Sequence, residues 1–210
     1  LLAFLSVVLG SYGWFAVLIS FFAIGGLSTK FRYEEKLDRG IAQENEGARG
    51  SGNVIANSAT ALVALLGWAA HGHLGVPQDV FLFAFAGSLA AAMSDTLSSE
   101  IGGLYDDPRL ITTFRTVPPG TDGGVTWQGG LAGVVGAGIV AGISFVAFAL
   151  SPVGTGVVLL AGVCGMVVDS LLGATVEGTL VDNKGVNLAA TTAAAVAGGG
   201  LAVVVGLVAL

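Results

Sequence analysis

The chain has 210 residues, of which 54% are hydrophobic and only 10% are charged, and its formal net charge is −6. Soluble domains carry about 25% charged residues, so this composition excludes a soluble globular domain and a disordered tail. Eight Lys and Arg against fourteen Asp and Glu offer no basic surface for a nucleic acid. Long apolar runs predict an all-α polytopic membrane protein, because helices satisfy their own backbone groups in the bilayer.

Six apolar runs follow one another, each near the ~20 residues that cross hydrocarbon. They cover residues 1–29, 54–70, 80–99, 129–150, 153–176 and 187–210. We expect a single transmembrane domain over residues 1–210. Its polar loops are predicted at about 30–53, 101–128 and 177–186. The chain begins inside an apolar run, so a missing N-terminal part is one expectation.

The positive charges support six spans. All eight Lys and Arg fall at 30–49, 109–115 and 184. With six spans these are the first, third and fifth loops, which share one side. By the positive-inside rule we expect this side to be cytoplasmic in a multi-pass protein of the cell membrane.

A weak internal pattern groups the spans into pairs. Odd spans end in small and polar residues, as at 94–100 and 169–175, and even spans begin with Gly and a polar side chain. Three pseudo-repeated helical hairpins with polar ends that meet would explain this pattern. Low sequence complexity alone is the alternative.

Three acidic residues, Asp95, Glu100 and Asp169, lie within or at the end of apolar spans. An ionised carboxylate at membrane depth costs roughly 2.5–3.5 kcal/mol, so it normally lines a polar cavity or pairs with a cation. One or two carboxylates plus substrate phosphates are the usual ligands of Mg²⁺. We therefore predict a Mg²⁺ site. The alternatives are snorkelling at the interface and hydrogen bonds between packed helices.

The loop between the third and fourth spans carries residues that suit phosphate. Arginine makes bidentate phosphate contacts, and glycines let the backbone present N–H groups to an anion. The predicted nucleotide and phosphate ligands are Arg49, Arg109, Thr112, Thr113, Arg115, Gly120, Thr121, Asp122, Gly123 and Gly124. The predicted catalytic residues are Arg109 and Arg115 with Asp95 and Asp169. An ordinary turn with solvated charges is the alternative.

Asparagines mark the starts of two spans. Asn53 and Asn57 are four residues apart and share a helix face, and Asn187 begins the sixth span. Asparagine side chains can coordinate a cation or a phosphate, although Asn53 and Asn187 could instead cap their helices. Lys36, among other charged residues, is interpreted as part of a solvated face.

In this order the motifs resemble the transmembrane protein 19 family, which includes the plant and cyanobacterial phytyl-phosphate kinases. The resemblance covers about residues 25–192. It is carried by residues 53–57, 94–100, 108–113, 117–124, 169–175 and 183–187. It implies a phosphotransferase of isoprenoid metabolism that converts a prenyl monophosphate, such as phytyl or geranylgeranyl phosphate, to the diphosphate. CTP or another NTP would be the phosphate donor and Mg²⁺ the cofactor. Asn53, Asn57 and Asn187 would then orient the acceptor phosphate.

The expected partners are the lipid bilayer, the prenyl-phosphate substrate and the nucleotide, without nucleic acid. The oligomeric state stays open, with a homo-oligomer among the alternatives. The alternative function is a transporter or channel for an ion or a phosphorylated lipid, since intramembrane acids and pseudo-repeats are typical of such proteins too. A kinase needs a loop that binds nucleotide, whereas a transporter needs a path to the other face.

Overall fold

The structure, a computed structural model, describes residues 1–42 and 50–209. In these residues six helices are long and apolar enough to cross a membrane, which confirms the all-α polytopic fold. The long helices are α2 (Tyr12–Lys30), α4 (Ser51–Leu74), α5 (Gln78–Gly102), α6 (Trp127–Ala147), α7 (Pro152–Gly173) and α8 (Asn183–Val204). The short elements are α1 (Leu2–Leu5), a π-helical turn (Ser6–Gly10), α3 (Tyr33–Asp38), β1 (Arg109–Leu110) and β2 (Gly124–Val125).

The first span begins later than predicted. The apolar run of residues 1–29 is broken at Ser11, where the backbone is extended, with φ −168° and ψ 179°. The Ser11 hydroxyl oxygen accepts a hydrogen bond from Gly13 N at 3.2 Å. This N-cap starts α2 as a new helix, so the spanning segment is Tyr12–Lys30.

The other five predicted spans are confirmed, with shifted ends. Side-chain oxygens cap the starts of α6, α7 and α8, which begin before their predicted apolar runs. The capping residues are Thr126, Ser151 and Asp182. Because Asp182 caps α8, Asn187 lies inside the helix and does not cap it.

Helix α5 is the centre of the bundle. In its most apolar stretch 72% of the residues are buried, against 33–50% in the other five spans, and it packs against all five. Small residues allow this close packing: a Cβ added at Gly136 of α6 would lie 2.9 Å from Met93 O, and Gly165 of α7 lies against Ala91.

The long helices alternate in direction. The ends of α2, α5 and α7 and the starts of α4, α6 and α8 lie at one end of the bundle, which we call the cleft end. The described loops that carry Lys and Arg therefore share this end, as the charge pattern predicts. That this end is cytoplasmic stays a prediction.

Candidate functional site

A polar cleft of about 240 Å³ opens at the cleft end. The starts of α4, α6 and α8 and the ends of α5 and α7 contribute to its walls. More than half of the predicted site residues line it: Asn53, Asn57, Asp95, Gly120, Thr121, Asp122, Gly123, Gly124, Asp169 and Asn187. The fold thus brings together residues that are far apart in the sequence.

Asp95 of α5 and Asp169 of α7 meet in this cleft. Their carboxyl groups lie close enough for a side-chain hydrogen bond. Asp169 Oδ2 is buried and has no hydrogen-bond partner among the described residues. Two adjacent carboxylates repel each other, so this arrangement needs a proton or a cation to complete it.

Asn57 and Asn187 are buried in the cleft wall, with 3% and 6% of their surface exposed. Each Nδ2 donates at 3.0 Å to the backbone oxygen four residues earlier, which belongs to Asn53 or Asn183. Only the NH₂ group can donate to a carbonyl, so these bonds fix the orientation of both amides. The Oδ1 atoms remain as acceptors, which suit a cation better than a phosphate oxygen.

Threonine hydroxyls join α4 to α8 next to these asparagines. Thr60 Oγ1 lies 3.1 Å from Thr191 Oγ1 and 3.1 Å from Thr192 Oγ1. Thr191 Oγ1 also donates to Asn187 O at 2.9 Å. These bonds fix the separation of the two helix starts and therefore of the amides they carry.

The Gly-rich loop at 120–124 forms another part of the wall, against the end of α7. Gly123 has a φ of +71° and lies against Ala174, so a side chain at this position would be strained and would clash. Thr121 N donates to Pro118 O at 3.2 Å, and Gly124 N donates to Thr121 O at 2.9 Å. Since these two N–H groups are used within the loop, the expected continuous row of anion-binding N–H groups is not formed.

Glu100 requires a correction to the predicted metal site. It does not line the cleft, because Lys36 Nζ donates to Glu100 Oε2 at 2.6 Å and to Ser28 O at 2.8 Å. The Lys36 and Glu100 side chains are only 1% and 5% exposed, so the interpretation of Lys36 as solvated is wrong. The charge of Glu100 is already neutralised and is not available for Mg²⁺.

The predicted phosphate ligands of the 109–116 segment also require a correction. β1 pairs with β2 as an antiparallel hairpin. Thr112, Thr113 and Arg115 are exposed near its tip and do not line the cleft. Arg109 lines a neighbouring apolar groove instead. Arg49 lies outside the described residues.

The cleft is acidic. It contains the carboxyl groups of Asp95, Asp122, Asp169 and Glu177, and no Lys or Arg lines it in the described part of the chain. Burial, followed by the negative charge of Asp122, raises the pKa of Glu177 above its ordinary value, while a hydrogen bond with Asn183 opposes this shift.

A complete protein cage for a metal is absent: residues 1–42 and 50–209 hold no group of three or more His, Cys, Asp or Glu that could bind one. Mg²⁺ does not need such a cage, since one or two carboxylates with waters and substrate phosphates suffice. Asp95 and Asp169 fit this smaller requirement.

Glu177 and Asn183 line the cleft, although neither is among the predicted ligands. Asn183 precedes Asn187 by four residues, which repeats the spacing of Asn53 and Asn57, and this repeat is the signal that identifies it. Glu177 lies beyond the end of α7, and its approach to the cleft depends on how the following turn folds.

The fold and the cleft define a polytopic helical membrane protein with an acidic site at one end of a six-helix bundle. The chain belongs to the family described as integral membrane protein DUF92, which matches residues 1–206. This confirms the family resemblance carried by the motifs. No solved structure matches the chain.

Relatives come from an archaeon and a plant. An uncharacterized membrane protein of Methanocaldococcus jannaschii is 34% identical over 209 residues, which cover 94% of this chain and 80% of the relative. The chloroplastic protein VTE6 of Arabidopsis thaliana is 34% identical over 170 residues, 80% of this chain and 50% of the relative. Protein PGR of the same plant is 36% identical over 185 residues, 77% and 64% of the two chains. The chain thus spans half the length of VTE6.

Proposed function

We propose that the protein is a nucleotide-dependent kinase that converts a prenyl monophosphate to the diphosphate. The observation that carries the proposal is the pair formed by Asp95 and Asp169 in a polar cleft at the end of the membrane-spanning helices. The motifs resemble a family that includes phytyl-phosphate kinases, and two of the relatives are plant proteins.

Asp95 and Asp169 would hold Mg²⁺, with the Oδ1 atoms of Asn57 and Asn187 as further ligands. The buried Oδ2 of Asp169, which has no hydrogen-bond partner within residues 1–42 and 50–209, supports this assignment, because a desolvated carboxylate oxygen is costly unless a cation or donor meets it. When bound, Mg²⁺ would neutralise charge on the phosphate oxygens of the donor.

The charge of the cleft favours a nucleotide that arrives with a divalent cation. Its four carboxyl groups would repel a free triphosphate, and the described lining offers no Lys or Arg to offset them. The starts of α4, α6 and α8 contribute partial positive charge. CTP and other NTPs fit this description equally, with the Gly120–Gly124 loop as the proposed contact.

The acceptor needs no strong base. A prenyl monophosphate is already an anionic nucleophile, so its oxygen can attack the γ-phosphorus of the nucleotide while the nucleoside diphosphate leaves. Phosphoryl transfer depends mainly on positioning and charge neutralisation. The buried amides and the loop fixed by Gly123 would position the two substrates.

The packing beneath the cleft supports an enzyme over a channel. Met166 lies against Gly133, and Ser94 Oγ donates to Gly133 O at 2.8 Å. Gly165 lies against Ala91. These contacts bring α5, α6 and α7 into close packing about one turn below the two aspartates, where a channel would require a conducting path.

The test is an assay with purified protein, Mg²⁺, CTP or ATP, and prenyl monophosphates of several chain lengths. Mass spectrometry should detect a prenyl diphosphate from at least one pair, and chelation of Mg²⁺ should abolish it. Folded, monodisperse protein that forms no diphosphate from any pair would overturn the proposal. Uptake of an ion or a lipid phosphate by proteoliposomes would then favour the transporter.

A further inference from the structure

An apolar groove of about 300 Å³ adjoins the cleft, between α6 and α7 and next to the hairpin of β1 and β2. Its apolar lining is formed by Ile111, Phe114, Val125, Trp127, Met166 and Val167. Its volume is at the lower end of the range for ligand pockets, about 300–1,000 Å³. This size suits one hydrocarbon chain of a lipid better than two.

One edge of the groove is exposed. Phe114 and Trp127 on its edge are 68% and 75% exposed, and Leu131, one turn along α6, is 58% exposed. Exposed aromatics at the ends of spanning helices are typical of the boundary between hydrocarbon and water. A chain could therefore enter this groove from the bilayer without passing through water.

The groove and the cleft share part of their walls. Ser98, Val125, Thr126 and Ser170 line both of them. The groove is also lined by Arg109, whose Nη1 donates to Phe114 O at 3.4 Å. A guanidinium beside an apolar groove favours a ligand that joins an apolar chain to an anionic head.

We infer that this groove binds the isoprenoid chain of a single-chain lipid phosphate whose phosphate lies in the cleft. The inference rests on the proposed function and adds the position at which the isoprenoid chain of the substrate binds. The four shared residues mark where the chain meets the phosphate, and Arg109 contacts the phosphate from the groove side. Met166 closes the inner end of the groove, since it lies against Gly133.

Gly130 offers a way to fill the groove without disturbing the fold. It lines the groove, and a Cβ added there has nothing within 4 Å. Gly130→Leu would place a side chain in the groove, and leucine favours a helix more than glycine does. Gly142 lies on the same helix, is equally open and does not line the groove. Gly142→Leu is therefore the matched control.

The experiment is photolabelling of the full chain in detergent with a geranylgeranyl monophosphate analogue that carries a diazirine in its chain. Peptide mapping should place the label near Trp127 and Met166 in the wild type and in Gly142→Leu. Labelling of Gly130→Leu should fall at least ten-fold at an unchanged melting temperature. Geranylgeranyl monophosphate should compete with the label, and phosphatidic acid should not.

A label on another face, undiminished labelling of Gly130→Leu, or equal competition by phosphatidic acid would overturn the inference. The last result would mean that an ordinary bilayer lipid fills the groove. Labelling requires no phosphoryl transfer, so the two proposals fail separately. The expected labelling without diphosphate formation would refute the kinase and keep the groove, whereas turnover with the label elsewhere would refute only the groove.

Discussion

Helix α5 carries two acidic residues near its cleft end, and their surroundings are opposite. Glu100 is buried against Lys36, with 2.6 Å between Oε2 and Nζ, and the same ammonium donates to Ser28 O. Asp95 instead meets a second carboxyl group, that of Asp169, whose Oδ2 has no hydrogen-bond partner in the described part of the chain. The first pair is neutral in itself, and the second is not.

The difference separates a structural acid from a candidate functional one. The Lys36–Glu100 pair holds α3 against the ends of α2 and α5, and Ile41, just after α3, reaches Gly103 and Gly120. The charges of Lys36 and Glu100 cancel each other within the protein. The Asp95–Asp169 pair brings two acidic side chains together, and a proton or a cation from outside the pair must balance them. Burial alone therefore does not identify a functional acid. Whether a buried acid is structural or functional depends on the group that faces its carboxylate.

The largest expected effect on stability comes from removing the cation of the Lys36–Glu100 pair. Lys36→Met would leave Glu100 buried without its cation, which typically costs 3–5 kcal/mol. The free energy of unfolding in detergent should fall by about that amount, and the exposed Lys30→Met control should change it little. Lys36→Met combined with Glu100→Leu should recover most of the stability. A double variant as unstable as the single one would show that the pair does not act through charge.

The next largest effect concerns the unbalanced pair. Asp169→Asn removes one of the two like charges, so we expect diphosphate formation to fall about 10²–10³-fold while the melting temperature holds or rises. Asp79→Asn, at the opposite end of α5, is the charge-matched control and should keep full turnover. Unchanged turnover in Asp169→Asn would refute the metal assignment.

The spans and the Asp95–Asp169 pair could be predicted because they follow from local properties of the sequence. Asp169 comes after sixteen uncharged residues, so its place within the span follows from span length alone. Alternating spans then place the polar ends of five helices at the same end of the bundle. The residues that meet there do so because of this alternation, which the positive charges also reveal.

Lys36 and the hairpin could not be predicted, because their positions depend on tertiary packing. Lys36 lies among Glu34, Glu35 and Asp38, a composition typical of a solvated helix. Its burial depends on the tertiary contacts of its ammonium with Glu100 and Ser28 O. Turn residues predict a loop after α5. They do not predict the bridge between Arg109 and Thr116, or that Arg115 is exposed and does not line the cleft. Ser11 breaks the first run by a cap that a hydropathy pattern does not distinguish from a continuing helix.

A smaller effect is expected at the cleft wall. Gly123→Ala would combine the strain of a positive φ, about 1–2 kcal/mol, with the clash against Ala174. Gly178→Ala has a similar φ of +73° with open space around it, so it isolates the strain. We expect Gly123→Ala to lower stability more than Gly178→Ala and to raise the KM for nucleotide. Equal effects of the two would show that the loop can move away from α7 freely.

The smallest effect should come from the neutral contacts that hold the amides in place. Thr60→Val removes the hydroxyl bonds between α4 and α8, which average about 0.6 kcal/mol in membrane proteins. Thr191 keeps its bond to Asn187 O, so one helix start stays ordered. Thermal unfolding should show this small loss, and turnover should fall less than ten-fold; Thr155→Val, at the opposite end of the bundle, should change neither. If Thr60→Val instead reduced turnover as much as Asp169→Asn, orientation of the amides would control the reaction as strongly as the charge pair, and the distinction between the two acids of α5 would no longer explain the site.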